Sequence, residues 1–172
     1  MHKQKMRRLS ATESIVYGGL AVAGLDALDA IVVFGARGTP PVRVFQGIAA
    51  GLLGRASLQG GVRTALLGLS IHFFIGMSIA ATYFALSRMF PVLVRRPVLC
   101  GAVYGVIVYF FMNRVVIPLS AIGASGAFNA VLFVNGILIH ILGIGIPAAL
   151  FAAQGPPPRL STASGSAPPL HA

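Results

Sequence analysis

Four long apolar stretches, separated by short polar or basic segments, dominate the pattern of this chain: about 14–36, 64–89, 98–120 and 129–153. Each matches or exceeds the roughly 20 residues a helix needs to cross the hydrocarbon core of a bilayer. The pattern predicts an all-α membrane protein with four transmembrane helices. Between the first two stretches, the segment from Arg37 to Arg43 contains Pro40-Pro41, and adjacent prolines lack the amide donors that would continue a helix. Residues 44–58 are glycine-rich, bounded by Arg43, Arg55 and Arg63, and too short to span. They predict an interfacial or re-entrant helix lying against the bundle. Residues 1–13 form a basic, polar N-terminal segment, 121–127 a linker of small residues, and 154–172 a tail rich in Pro, Ser and Ala that is expected to be disordered. A secretory signal peptide also places a basic segment before an apolar one, but the first stretch is longer than such a region and is interrupted by Asp26 and Asp29.

Composition sharpens the class. Of 172 residues, 56% are hydrophobic and 9% charged, against about 25% charged in soluble domains. The 13 basic residues outnumber 3 acidic ones and sit beside the apolar stretches. That placement is a topology signal and argues against nucleic-acid binding, for which no motif is present; anionic lipid headgroups are the natural counterions. With four spans both termini share a side. That side holds Lys3, Lys5, Arg7, Arg8, Arg88, Arg95, Arg96 and Arg159; the other holds Arg37, Arg43, Arg55, Arg63 and Arg114. The excess predicts a bacterial inner-membrane protein with both termini cytoplasmic. Cys100 is the single cysteine, so no internal disulfide is possible, and its place near the start of an apolar stretch predicts a buried small residue.

The candidate chemistry lies inside the spans. Two of the three acidic residues, Asp26 and Asp29, fall within the first stretch. A carboxylate at mid-bilayer depth costs about 3 kcal/mol or more, so it faces protein and finds a partner. At 1.5 Å rise per residue, Asp29, His72, Arg114 and Asn113 lie about 9–12 Å below the outer surface, and Asp26 and His140 about 16 Å. Asn135 in the last span belongs to the same slab. Depth allows the pairings Asp29–Arg114 and Asp26–His140. Such a layer serves either as structural glue, at about 0.6–2 kcal/mol per interhelical contact, or as a proton- or ion-handling site. Ligation of a haem by His72 and His140 is a third reading, without any metal-ligand spacing behind it; no cofactor is expected.

Small residues mark helix contacts. Gly101-Ala-Val-Tyr-Gly105 is a GxxxG, and Gly76 with Ala80 is a small-xxx-small version. These faces could pack the bundle, form a homo-oligomer or bind another membrane protein as a structural or assembly subunit. Pro118 and Pro147 are expected to kink or end their helices. Tyr83 and Tyr104 lie towards the cytoplasmic side, where tyrosines anchor at the interface. No nucleophile elbow, phosphate-cradling loop or zinc-protease motif is present, so a non-enzymatic role is expected.

The middle of the chain resembles the YagU-like family of small bacterial inner-membrane proteins. The resemblance rests on His72-Phe-Phe, Ile79-Ala80, Tyr83 and Phe90-Pro91, then Gly101-Ala102 and Pro118-Leu119, with Pro40-Pro41, Arg43 and a histidine in the last span in agreement. It covers about half the residues; the stretch from Gly101 to Pro118 is longer than the family pattern, and Asp26 and Asp29 are not part of it. The resemblance implies a role in acid resistance and assigns no catalytic residues.

Overall fold

The computed structural model describes residues 7–123 and 128–158, and every regular element in them is helical. Four helices are long and apolar enough to cross a membrane: α1 (Ala11–Gly35), α3 (Gly61–Met89), α5 (Pro97–Leu119) and α6 (Ala130–Gln154). Two shorter ones, α2 (Pro41–Leu53) and α4 (Val92–Arg95), lie in the connections. At 1.5 Å per residue even α5 reaches about 35 Å, beyond a hydrocarbon core of about 30 Å.

Helix α1 starts on a capping box. The Glu13 amide donates to Ser10 Oγ at 3.1 Å and the Ser10 amide to Glu13 Oε2 at 2.7 Å, while Arg7 Nη2 pairs with Glu13 Oε1 at 2.7 Å. The Ser-x-x-Glu signature is in the sequence and accounts for the helix starting at Ala11. At its far end Gly38 turns the chain at φ 82°, a conformation only glycine adopts cheaply. Pro41 then occupies the first turn of α2, where the missing N–H has no intrahelical partner to lose. The segment expected at 44–58 is therefore a helix over Pro41–Leu53 followed by a 3₁₀ turn, Gly54–Gln59. It packs on α3: the Phe45 carbonyl and Ala49 amide close onto Gly68, Gln46 Nε2 donates to the Gly61 carbonyl at 2.9 Å, and Ser57 Oγ donates to the Gln46 carbonyl at 2.9 Å.

Pro118 and Pro147 neither end nor break their helices where they stand. Each is preceded by a widened π turn, Met112–Val116 in α5 and His140–Gly145 in α6. There the Ile117 amide reaches back to the Met112 carbonyl, and the Ile146 amide to the Ile141 carbonyl. The extra residue in each turn accommodates the ring and the missing donor, so α6 runs on to Gln154 and α5 for one residue past its proline.

Two halves of the bundle differ. The Leu9 amide donates to the Gln154 carbonyl at 3.0 Å, so both described ends of the chain meet at one end of the bundle. Towards that end the helices are closely packed around Val22, Tyr83, Phe84, Val108, Ile144, Ala148, Ala149 and Ala152. Tyr83 belongs to this core rather than to an interfacial anchor: it is 1% exposed, donates its hydroxyl to the Leu93 carbonyl at 3.0 Å, and meets Tyr104 edge-on. Tyr104 in turn donates to the Ile79 carbonyl at 2.9 Å. Cys100 is half-buried, its Sγ 3.7 Å from the Val92 carbonyl. Residues 155–158, expected to begin a disordered tail, have a set backbone, and Gly155 is buried against Ser14 and Phe84; residues 159–172 and 124–127 lie outside the described part. Towards the opposite end, neither Ala130–Ile139 of α6 nor Met112–Leu119 of α5 buries a single residue. The bundle is closed at the terminal end and open at the other.

Candidate intramembrane polar site

Where the closed half gives way to the open one, α1 presents its two carboxylates to two different neighbours. Asp26 and Asp29, three residues apart, share one face of the helix, and that face looks into the seam between α3 and α6. Asp26 Oδ2 lies 4.0 Å from Nδ1 of His72 on α3, with side chains 30% and 10% exposed respectively. Asp29 Oδ2 accepts a 2.8 Å hydrogen bond from Asn135 Nδ2 on α6. His140, also on α6, lies within Coulombic range of both carboxylates. Asn135 and His140 are five residues apart on α6, the histidine at the start of its π turn.

Backbone carbonyls fix which nitrogen of each histidine carries its proton. His72 Nε2 is 2.9 Å from the Ala23 carbonyl of α1, a group that can only accept, so Nε2 is the donor. In a neutral ring Nδ1 is then a lone pair facing a carboxylate. Direct contact between these two acceptors would need a proton on one of them, whereas a single water can donate to both. The 4.0 Å separation suits an ion pair or a single intervening water better than a direct hydrogen bond. His140 is constrained the same way: Nδ1 donates to the Gly136 carbonyl at 2.8 Å, which leaves Nε2 as its exchanging nitrogen. Its ring packs edge-on against Tyr109, 5.2 Å between centroids.

The sequence-derived pairings are redrawn. Asp29 is partnered by Asn135, not by Arg114, which is exposed and makes no hydrogen bond or ion pair among the described residues. Asn113 donates to the Tyr109 carbonyl of its own helix at 2.9 Å and does not reach the carboxylates. The hydrogen-bonding and ion-pair partner on the Asp26 side is His72; His140 interacts with Asp26 through its field alone. Rise per residue along a helix carries no azimuth. Arg114 lies in the π turn Met112–Val116, where no residue is buried, and is exposed. Asp26, Asp29, His72, Asn135 and His140 are brought together; Asn113 and Arg114 are not.

The small-residue motifs are consumed inside the chain. Gly76 admits α1, with Ala23 Cβ 2.8 Å and the Gly19 carbonyl 3.1 Å from where a Cβ would stand, and Ala80 faces Gly18. Gly101 and Gly105 receive the π turn of α6: a Cβ on Gly105 would meet the carbonyl carbon of His140 at 2.7 Å and Ile141 Cα at 2.9 Å. Close approach thus aims the His140 turn at the seam. These faces are covered by α1 and α6 and are not available to a partner helix. Haem ligation does not fit His72, whose two ring nitrogens are committed to the Ala23 carbonyl and to Asp26. Among the described residues no three potential ligands gather as a metal site.

An open groove of about 460 Å³ runs along α6 beside Ala130, Val131, Val134, Asn135 and Leu138. Four of its five lining residues are apolar, and Asn135 is the fifth. No family model matches this chain, and no curated protein or solved structure matches it either.

Proposed function

We propose that this multi-pass protein handles protons within the bacterial inner membrane, with Asp26 and His72 as the exchanging pair and His140 and Asp29 as the charges that tune it. What carries the reading is the His72 geometry: its Nε2 is held as donor by the Ala23 carbonyl, so Nδ1 is the nitrogen turned to Asp26 Oδ2, 4.0 Å away. An imidazole nitrogen and a carboxylate at this separation can pass a proton between them directly or through one water. Both termini face the cytoplasm in this reading, as the arginine and lysine excess indicates, with anionic headgroups neutralising the flanking bases. The resemblance to the YagU-like family fits such a role, because acid or envelope stress is where a proton-responsive membrane protein would act.

The test is proton flux in proteoliposomes containing the full chain, compared with Asp26→Asn and His72→Gln. Loss of pH-driven flux in both variants, with unchanged protein yield, supports the proposal. Flux equal to wild type in Asp26→Asn overturns it. A second reading is favoured by one observation: the His72–Ala23 and Asn135–Asp29 bonds join α1 to α3 and to α6. Under that reading the cluster is interhelical glue, and the same variants lose thermal stability in detergent while wild-type vesicles conduct no protons.

A further inference from the structure

At the end of the bundle that carries both described chain ends, a cavity of about 280 Å³ opens between Arg8, Arg88, Val94, Ala153 and the run from Gly155 to Pro158. Arg88, in the last turn of α3, is fixed before any ligand arrives. Its Nε and Nη2 donate to Ser87 Oγ at 3.1 and 2.9 Å, Nη2 also donates to the Ala152 carbonyl at 2.9 Å, and Cζ lies 4.6 Å over the Phe84 ring. The remaining nitrogen, Nη1, is buried and has no hydrogen-bond partner among the described residues. A buried guanidinium donor without an acceptor carries the full cost of its desolvation, so an added acceptor there is favoured.

Among the described residues nothing neutralises these arginines. Glu13 is taken by Arg7, and Asp26 and Asp29 are engaged in the polar seam. Arg8 also lines the cavity, exposed and without a hydrogen-bond partner among the described residues, and Arg95 and Arg96 are exposed at the end of α4. Two arginines lining one small cavity, at the end of the apolar helices, match a tetrahedral oxyanion, which accepts fork-like hydrogen bonds from arginine. We infer that this cavity binds a phosphate group, supplied either by the headgroup of an anionic lipid or by free phosphate. The inference stands apart from the polar seam and does not depend on proton handling.

The test uses the full chain purified in a neutral detergent. Its melting temperature is followed during titration with phosphatidylglycerol, with phosphatidylcholine, and with inorganic phosphate against chloride at equal ionic strength. A saturable rise with phosphatidylglycerol alone assigns the site to a lipid headgroup; a rise with inorganic phosphate as well assigns it to the free anion. In either case Arg88→Gln and Arg8→Gln should each weaken the apparent affinity about tenfold, as loss of one charge-assisted contact does, while Arg114→Gln at the other end leaves it unchanged. Arg8 holds no other group in the fold, so Arg8→Gln reports on the site even if Arg88→Gln fails to fold. The inference is overturned if neither probe raises the melting temperature beyond its control, or if Arg8→Gln binds as tightly as wild type.

Discussion

Replacing Gly105 by alanine probes how α5 aims the His140 turn of α6. The added Cβ would stand 2.7 Å from the His140 carbonyl carbon and 2.9 Å from Ile141 Cα, and closer still to the His140 carbonyl oxygen. The carbon contact alone falls short of ordinary packing by about 0.7 Å. All three atoms are backbone, so no rotamer change relieves the clash and the two helices must part. Overpacking of this kind costs about 1–3 kcal/mol. The proper reference is Gly24→Ala, since a Cβ at Gly24 meets nothing within 4 Å and both positions lie inside apolar helices. The pair therefore cancels most of the intrinsic helix preference of alanine over glycine. Reversible unfolding in mixed micelles, with denaturing detergent as the titrant, should place Gly105→Ala about 1–3 kcal/mol below Gly24→Ala. Equal stabilities for the two variants would refute the packing of the π turn into the Gly101–Gly105 groove, and with it the reason His140 faces the seam.

Two further substitutions separate the redrawn contacts from those that depth alone suggested. Asn135→Leu removes the donor to Asp29 and should cost about 0.6–2 kcal/mol in the same assay, with Asp29→Asn partly restoring stability in the double variant. Arg114→Gln should change stability by less than about 0.5 kcal/mol, because the side chain is exposed and unpaired among the described residues; a larger loss would show that the guanidinium is paired after all.

Much of the fold was legible because lipid imposes a strict rule. A span must be helical, long and apolar, and four such stretches can be counted directly. The capping box at Ser10–Glu13 was equally available in the sequence and would have set the start of α1. The π turns were harder to foresee: a proline announces a lost hydrogen bond, but whether the helix ends, kinks or widens depends on what packs beside it. At His140–Gly145 that neighbour is a pair of glycines on another helix. The candidate site was legible as a layer and not as a set of bonds. Rise per residue gives depth to a few ångströms, whereas partner choice depends on rotation about each axis. Asn135, a neutral amide, proved a better partner for Asp29 than the only arginine at its depth, because α6 faces α1 and the outer half of α5 does not.

Central to this account is His72 held with Nε2 bound to the Ala23 carbonyl and Nδ1 turned to Asp26 Oδ2. Nitrogen-15 spectra of histidine-labelled protein in lipid, recorded across pH 5 to 8, test it most directly. The account predicts that Nε2 of His72 stays protonated throughout and hydrogen-bonded to the Ala23 carbonyl, with any change confined to Nδ1. A neutral His72 ring with its proton on Nδ1 would contradict it.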